Sequence, residues 1–300
     1  MNAGLYLAVV VIWGTTWIAI FLQQSAVGAT AVTVAIFWRF LVAGALMLVL
    51  LKLLRRLRPL TTRDHLFCLL QGSCVFGFNF VCFYYAAAWI STGLESVIFS
   101  MAVLYNAINS WLFFRQRPPM RLLPAALLGI SGIVALFWED LSNTQASVHV
   151  LWGAALSALG TLGFSFGNMI SLRHQRQQRD VLTTNSYAMF YGAMIMGVLS
   201  LLMGESLRPV WNGQWLGSVV YLALLGSVVG FGAYFTLVGR IGASQAAYST
   251  LLFPLVALSL STLYEGYVWH TSALIGLAMI LAGNMVMFVR LPVRKVALST

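Results

Sequence analysis

Long apolar runs, broken only by short polar or turn-rich stretches, fill this chain from end to end. There are ten of them, at roughly 4–24, 31–51, 66–88, 93–114, 122–138, 150–171, 184–204, 215–238, 243–264 and 271–290. A helix needs ~20 apolar residues to cross the hydrocarbon of a bilayer. Barrel strands are ~10-residue segments that alternate apolar with polar, and these runs are continuous. Composition points the same way: 60% of the side chains are hydrophobic and 8% are charged, where a soluble domain carries about 25% charged residues. The runs therefore predict an all-α integral membrane protein with ten transmembrane helices. So divided, 300 residues leave no room for a soluble domain. A cytoplasmic enzyme, a secreted module and a disordered chain are excluded.

The formal charge of +10 would point to nucleic acid in a soluble protein. Here it follows topology. If the first terminus is cytoplasmic, 15 of the 17 basic residues fall on the cytoplasmic side. Arg208 alone faces outward, and Arg39 lies inside a span. The opposite breaks hold Glu95, Glu139, Asp140, Glu205 and Glu265. This is the positive-inside pattern, and it predicts both termini in the cytoplasm and no nucleic-acid partner. The start, MNAGLYLAVVVIWG, has no basic stretch before its apolar run, so it reads as a retained first span. Cys68, Cys74 and Cys82 share one apolar run and match no zinc spacing. No metal or cofactor is expected.

Five spans lie in each half, an odd number, so the halves enter the membrane from opposite sides. Residues 1–145 and 146–300 are accordingly predicted as two inverted five-helix repeats around a central cavity, the scaffold of many secondary transporters. Both halves open on a glycine- and aromatic-rich span and close on a small-residue-rich one, LLGISGIVA against LIGLAMILAG.

Particular residues extend this pattern. Trp13-Gly14-Thr15-Thr16-Trp17 lies in the first span and Arg39-Phe40-Leu41-Val42-Ala43 in the second. Gly242-Ala243-Ser244 opens the ninth, Pro254 lies within it and Glu265 closes it, and Gly276 and Ala282-Gly283 follow in the tenth. In order and spacing these fragments resemble the ten-span EamA branch of the drug/metabolite transporter superfamily over nearly the whole chain. Leu104 and Arg115 stand where the repeat would place the proline and the glutamate. The resemblance implies small-molecule transport, mostly metabolite export, across the cytoplasmic membrane of a bacterium. An amino-acid-like or aromatic solute is preferred. Uptake, or efflux of lipophilic cations, is the alternative within transport. A membrane enzyme or a sensor is the alternative outside it. The partners expected are the solute and the bilayer, around a monomer or a dimer.

Polar side chains in lipid-embedded helices usually face the bundle interior or a wet cavity. Glu95, Phe99, Ala102, Asn106 and Asn109 share one face of the fourth span, and Ser157, Thr161, Phe164, Asn168 and Ser171 one face of the sixth. Each stripe reads either as a cavity wall or as interhelical glue. Trp13, Thr16, Trp17 and Ile20 share a face of the first span, and Asn79 has Phe76, Phe80 and Phe83 on neighbouring turns. The expected substrate-binding set is Trp13, Trp17, Asn79, Asn106, Phe164, Asn168 and Tyr248. Arg39, Glu95 and Glu265 are the candidates for charge recognition or coupling. Arg39 can pair with either glutamate, with helix-end carbonyls or with a substrate carboxylate. Glu95 sits where a carboxylate favours a helix amino terminus, or can exchange protons. Gly14, Gly226, Gly230, Gly232 and Pro254 are the expected hinges.

Overall fold

A computed structural model describes residues 2–118, 120–139, 147–247 and 249–286. Among the described residues there is no strand. The helices are α1 Asn2–Gln24, α2 Val32–Leu53, α3 Thr62–Ala86, α4 Thr92–Phe114, α5 Leu122–Leu136, α6 Ser147–Arg176, α7 Val181–Leu202, α8 Gly213–Ile241, α9 Ser249–Tyr264 and α10 Thr271–Val286. Seven are long and apolar enough to cross a membrane; Leu122–Leu136, Leu252–Tyr264 and Thr271–Val286 are shorter apolar helices. A one-turn helix, Ala243–Ala246, precedes α9 after the sharp bend at Gly242, whose φ is 84°. The large exposed side chains are mostly aliphatic or aromatic, Leu112, Leu127, Val198 and Leu252 among them. That outer surface suits acyl chains as solvent.

Helix starts follow local chemistry. Thr61 and Asp64 form a reciprocal capping box at α3, Ser91 caps α4, Asp180 caps α7 and Asn212 caps α8. Each satisfies amide donors that would otherwise lack a partner at a helix end.

The most extensive helix pairings recur when each helix is exchanged with the one five places on. α2 packs on α7 and α5 on α10, while α1–α9 matches α6–α4, α1–α8 matches α6–α3 and α2–α8 matches α7–α3. The self-matched pairs approach closely. A Cβ on Gly44 would lie 2.7 Å from the Phe190 amide nitrogen, and one on Gly276 only 2.4 Å from that of Leu136. Without a hydrophobic force between helices in lipid, such small-residue contacts supply the association. Two wide π-helical stretches, Gly72–Phe78 inside α3 and Leu222–Val229 inside α8, occupy matching places in this exchange. Sequence periodicity signals neither of them.

Candidate functional site

Seven helices, α1, α2, α3, α4, α6, α8 and α9, surround a central cavity. Its lining is Trp13, Thr16, Trp17 and Ile20 from α1, Arg39 from α2, and Asn79, Phe80 and Phe83 from α3; Phe99, Phe164, Phe231 and Phe253 complete it. The face expected of the first span is thus intact. The room left among these side chains is only about 30 Å³, so the cavity is a tight aromatic slot. The rings hold one another mostly at tilted angles, with Trp17 and Phe83 edge to face. Trp13 lies 4.9 Å from both Phe231 and Tyr234, Trp17 lies 5.1 Å from Phe83, and Phe99 lies 4.6 Å from Phe164. Contacts of this kind add ~0.5–1.5 kcal/mol each beyond area burial.

The two π-helical stretches border the slot and shape its polar edge. A widened turn offers its carbonyls to side chains from outside the helical ladder. Trp13 Nε1 donates to the Gly226 carbonyl at 3.2 Å, and Asn79 Nδ2 donates to the Val75 carbonyl at 3.2 Å. Ser227 Oγ donates to the Leu222 carbonyl at 2.8 Å and accepts from Arg39 Nε at 3.1 Å. The Arg39 guanidinium carbon also lies 4.3 Å from the Phe80 ring centre and 5.0 Å from that of Phe40. Neither glutamate pairs with it. Arg39 Nη1 and Asn79 Oδ1 are buried without a hydrogen-bond partner.

Asn106 and Asn168 do not line this slot; they meet each other just behind it. Asn168 Nδ2 donates to Asn106 Oδ1 at 3.0 Å and to the Tyr234 hydroxyl at 3.1 Å. Ser165 Oγ donates to Asn106 Oδ1 at 2.8 Å, and Asn109 Nδ2 donates to Ser165 Oγ at 2.8 Å. The two stripes therefore divide their labour: the phenylalanines face the cavity and the amides bridge α4, α6 and α8. Tyr234 joins the layers, since its ring packs on Trp13 and Phe164. Tyr248 lies outside the described residues.

Both ends of the bundle are fastened. At the basic end Arg179 pairs with Asp64 at 2.9 Å, and the Tyr191 hydroxyl meets His65 Nδ1 at 3.0 Å. At the opposite end the Glu265 carboxylate accepts from the Thr92 amide at 2.8 Å, from the Thr92 hydroxyl and from Ser261 Oγ at 3.0 Å. Tyr84 donates to Gln23 Oε1 at 2.6 Å on the same side. Glu95 is buried in the first turn of α4, and its Oε1 has no partner. Of the expected hinges, Gly14, Gly226 and Gly230 are sites of close approach. A Cβ there would meet Val256 at 2.7 Å, Thr16 at 2.7 Å and Trp13 Nε1 at 2.4 Å respectively.

Phe80, Phe231, Phe253, Tyr234 and Ser227 complete the site beyond the expected set. Phe80 was within reach of the sequence, one residue from Asn79. Phe231, Phe253 and Ser227 carried no signal, because phenylalanine and serine recur on every face of such helices.

An all-helical membrane protein with an aromatic cavity among its helices is the class these features define. The chain belongs to the EamA-like transporter family, which matches it twice, over residues 2–138 and 151–289. Among its relatives, Protein PagO of Salmonella typhimurium is 22% identical over 271 residues, 90% of this chain and 87% of that one. The uncharacterized inner membrane transporter YedA of Escherichia coli K12 is 25% identical, covering 86% of this chain and 81% of that one. Protein PecM of Dickeya dadantii is 28% identical, covering 84% and 80%. A solved crystal structure superposes with a TM-score of 0.69 over 96% of both chains at 17% identity, a likeness of fold alone.

Proposed function

We propose that the protein is a secondary transporter that exports a small metabolite, amino-acid-like or aromatic, across the cytoplasmic membrane by alternating access. The slot is the binding site, with Trp13, Trp17, Asn79 and Phe164 touching the solute. Asn106 and Asn168 act behind them by positioning Tyr234. The chain crosses the membrane ten times as two inverted repeats, residues 1–145 and 146–300, with both termini cytoplasmic.

The observation that carries this reading is a cavity lined by helices from both halves and fastened at both ends. A carrier needs such a closed intermediate, and its site is expected at the repeat interface near the midplane. Counterflow of a labelled metabolite library into proteoliposomes tests the activity, and the reading fails if no solute moves. Cysteine labelling tests the topology on a background without Cys68, Cys74 and Cys82. Positions 57 and 176 should react only from the cytoplasmic side, and external labelling at either defeats the arrangement.

A further inference from the structure

Arg39 is a cation without an anion. It is 2% exposed, and it forms no ion pair with any described residue. Its surroundings are a serine hydroxyl, two ring faces and the Tyr84 phenol. Ring faces offset part of the cost of burying a guanidinium, yet Nη1 still has nothing to bond. Glu265 is committed to Thr92 and Ser261, and Glu95 makes no hydrogen bond to Arg39. A buried charge of this kind is ordinarily paired. Here the residue lines the cavity, so the missing partner has a place to sit.

We infer that the cavity binds a solute with a single carboxylate attached to a flat apolar body, the carboxylate sitting on the Arg39 guanidinium. This rests on the transport reading above and adds the charge of the solute to it. The apolar body packs among Trp13, Trp17, Phe99 and Phe164. A donor on the solute, such as an ammonium or amide N–H, reaches the unpartnered Asn79 Oδ1. One fixed positive charge balances one negative charge. A dianion such as a phosphate monoester would keep an uncompensated charge among aromatic rings, and a lipophilic cation would meet like charge. The slot therefore selects against both.

The test is equilibrium binding to the full chain in nanodiscs, measured by calorimetry with four probes sharing one ring: phenylacetate, phenylalanine, phenethylamine and phenyl phosphate. Phenylacetate and phenylalanine should bind at least about tenfold tighter than the other two, the scale of a charge-assisted hydrogen bond. Arg39→Gln should abolish that preference, and Arg39→Lys should keep its direction while weakening it. If Arg39→Gln does not purify monodisperse, the wild-type charge series and Arg39→Lys decide. Equal or tighter binding of phenethylamine or phenyl phosphate overturns the inference. So does an unchanged preference in Arg39→Gln, or a failure of both carboxylates to bind. A purely structural Arg39 would leave the wild-type charge preference absent. Transport itself is judged separately, by the metabolite-library counterflow, which can succeed even where this charge assignment fails.

Discussion

Trp13 Nε1 and the carbonyl of Gly226 are hydrogen-bonded at 3.2 Å across 213 positions of sequence. The bond ties the first helix to the widened turn of α8, and it exists only because Gly230 leaves room beside the indole. A Cβ on Gly230 would stand 2.4 Å from Nε1 and 2.9 Å from Cδ1. Gly230→Ala should therefore displace the indole, lower stability by ~1–3 kcal/mol and reduce transport. Gly232→Ala is the matched control, because its nearest neighbour is a Leu182 methyl at 3.8 Å. Thermal unfolding in detergent and counterflow compare the two. Equal behaviour would mean that the indole is not held as described.

The amide cluster behind the slot should behave as a unit. Asn106→Leu removes the acceptor used by both Ser165 and Asn168, while Asn168→Leu removes the donor to Tyr234. Each should cost about 1–3 kcal/mol, because a buried partner is left unsatisfied. The double variant should cost less than the sum by at least ~0.5 kcal/mol, since the two residues bond each other. Both single variants should insert, purify monodisperse and transport poorly. Additive losses would show that the two amides act independently, and normal transport by both would remove them from the site.

The two fastenings should control access from opposite faces. Asp64→Asn weakens the contact to Arg179 at the basic end, and Glu265→Gln weakens the acceptor for Thr92 and Ser261 at the other. With a single reporter cysteine at Thr16 on a cysteine-free background, the first variant should raise labelling from the basic side only. The second should raise it from the other side only. Similar labelling patterns in both variants would argue against two separate gates.

Close backbone contact predicts a sharper effect at the paired fifth and tenth helices. Gly276→Ala would place its Cβ 2.4 Å from the Leu136 nitrogen and 2.5 Å from the Gly132 carbonyl. Backbone cannot give way as a flexible side chain does, so the α5–α10 pair should separate. A drop in melting temperature larger than that of Gly230→Ala is expected, since the closest contacts of the latter are to a side chain. An equal or smaller drop would contradict the packing of this pair.

The helical spans were legible in the sequence because lipid leaves the backbone few choices. The cavity was legible only in part. Trp13, Thr16, Trp17 and Ile20 followed from spacing along one helix, which fixes a shared face. Phe231 and Phe253 did not, because which face of a uniformly apolar helix points inward is decided by its neighbours. Asn106 and Asn168 are buried behind the slot and do not line it. Spacing could not tell whether an amide would meet a solute or another amide. The outcome for Arg39 turned on the absence of a nearby acid, a fact of three dimensions.

The widened turns begin at Gly72 and Leu222, 150 positions apart, yet their sequences, GSCVFGF and LALLGSVV, have little in common. The same family matches both halves at nearly that offset. No shared set of side chains can be what makes both turns wide. The kinship of the halves is thus written more durably in backbone irregularity than in letters. An alignment of the halves should be anchored on those two loosened coils, where residue identity has drifted and the path of the chain has not.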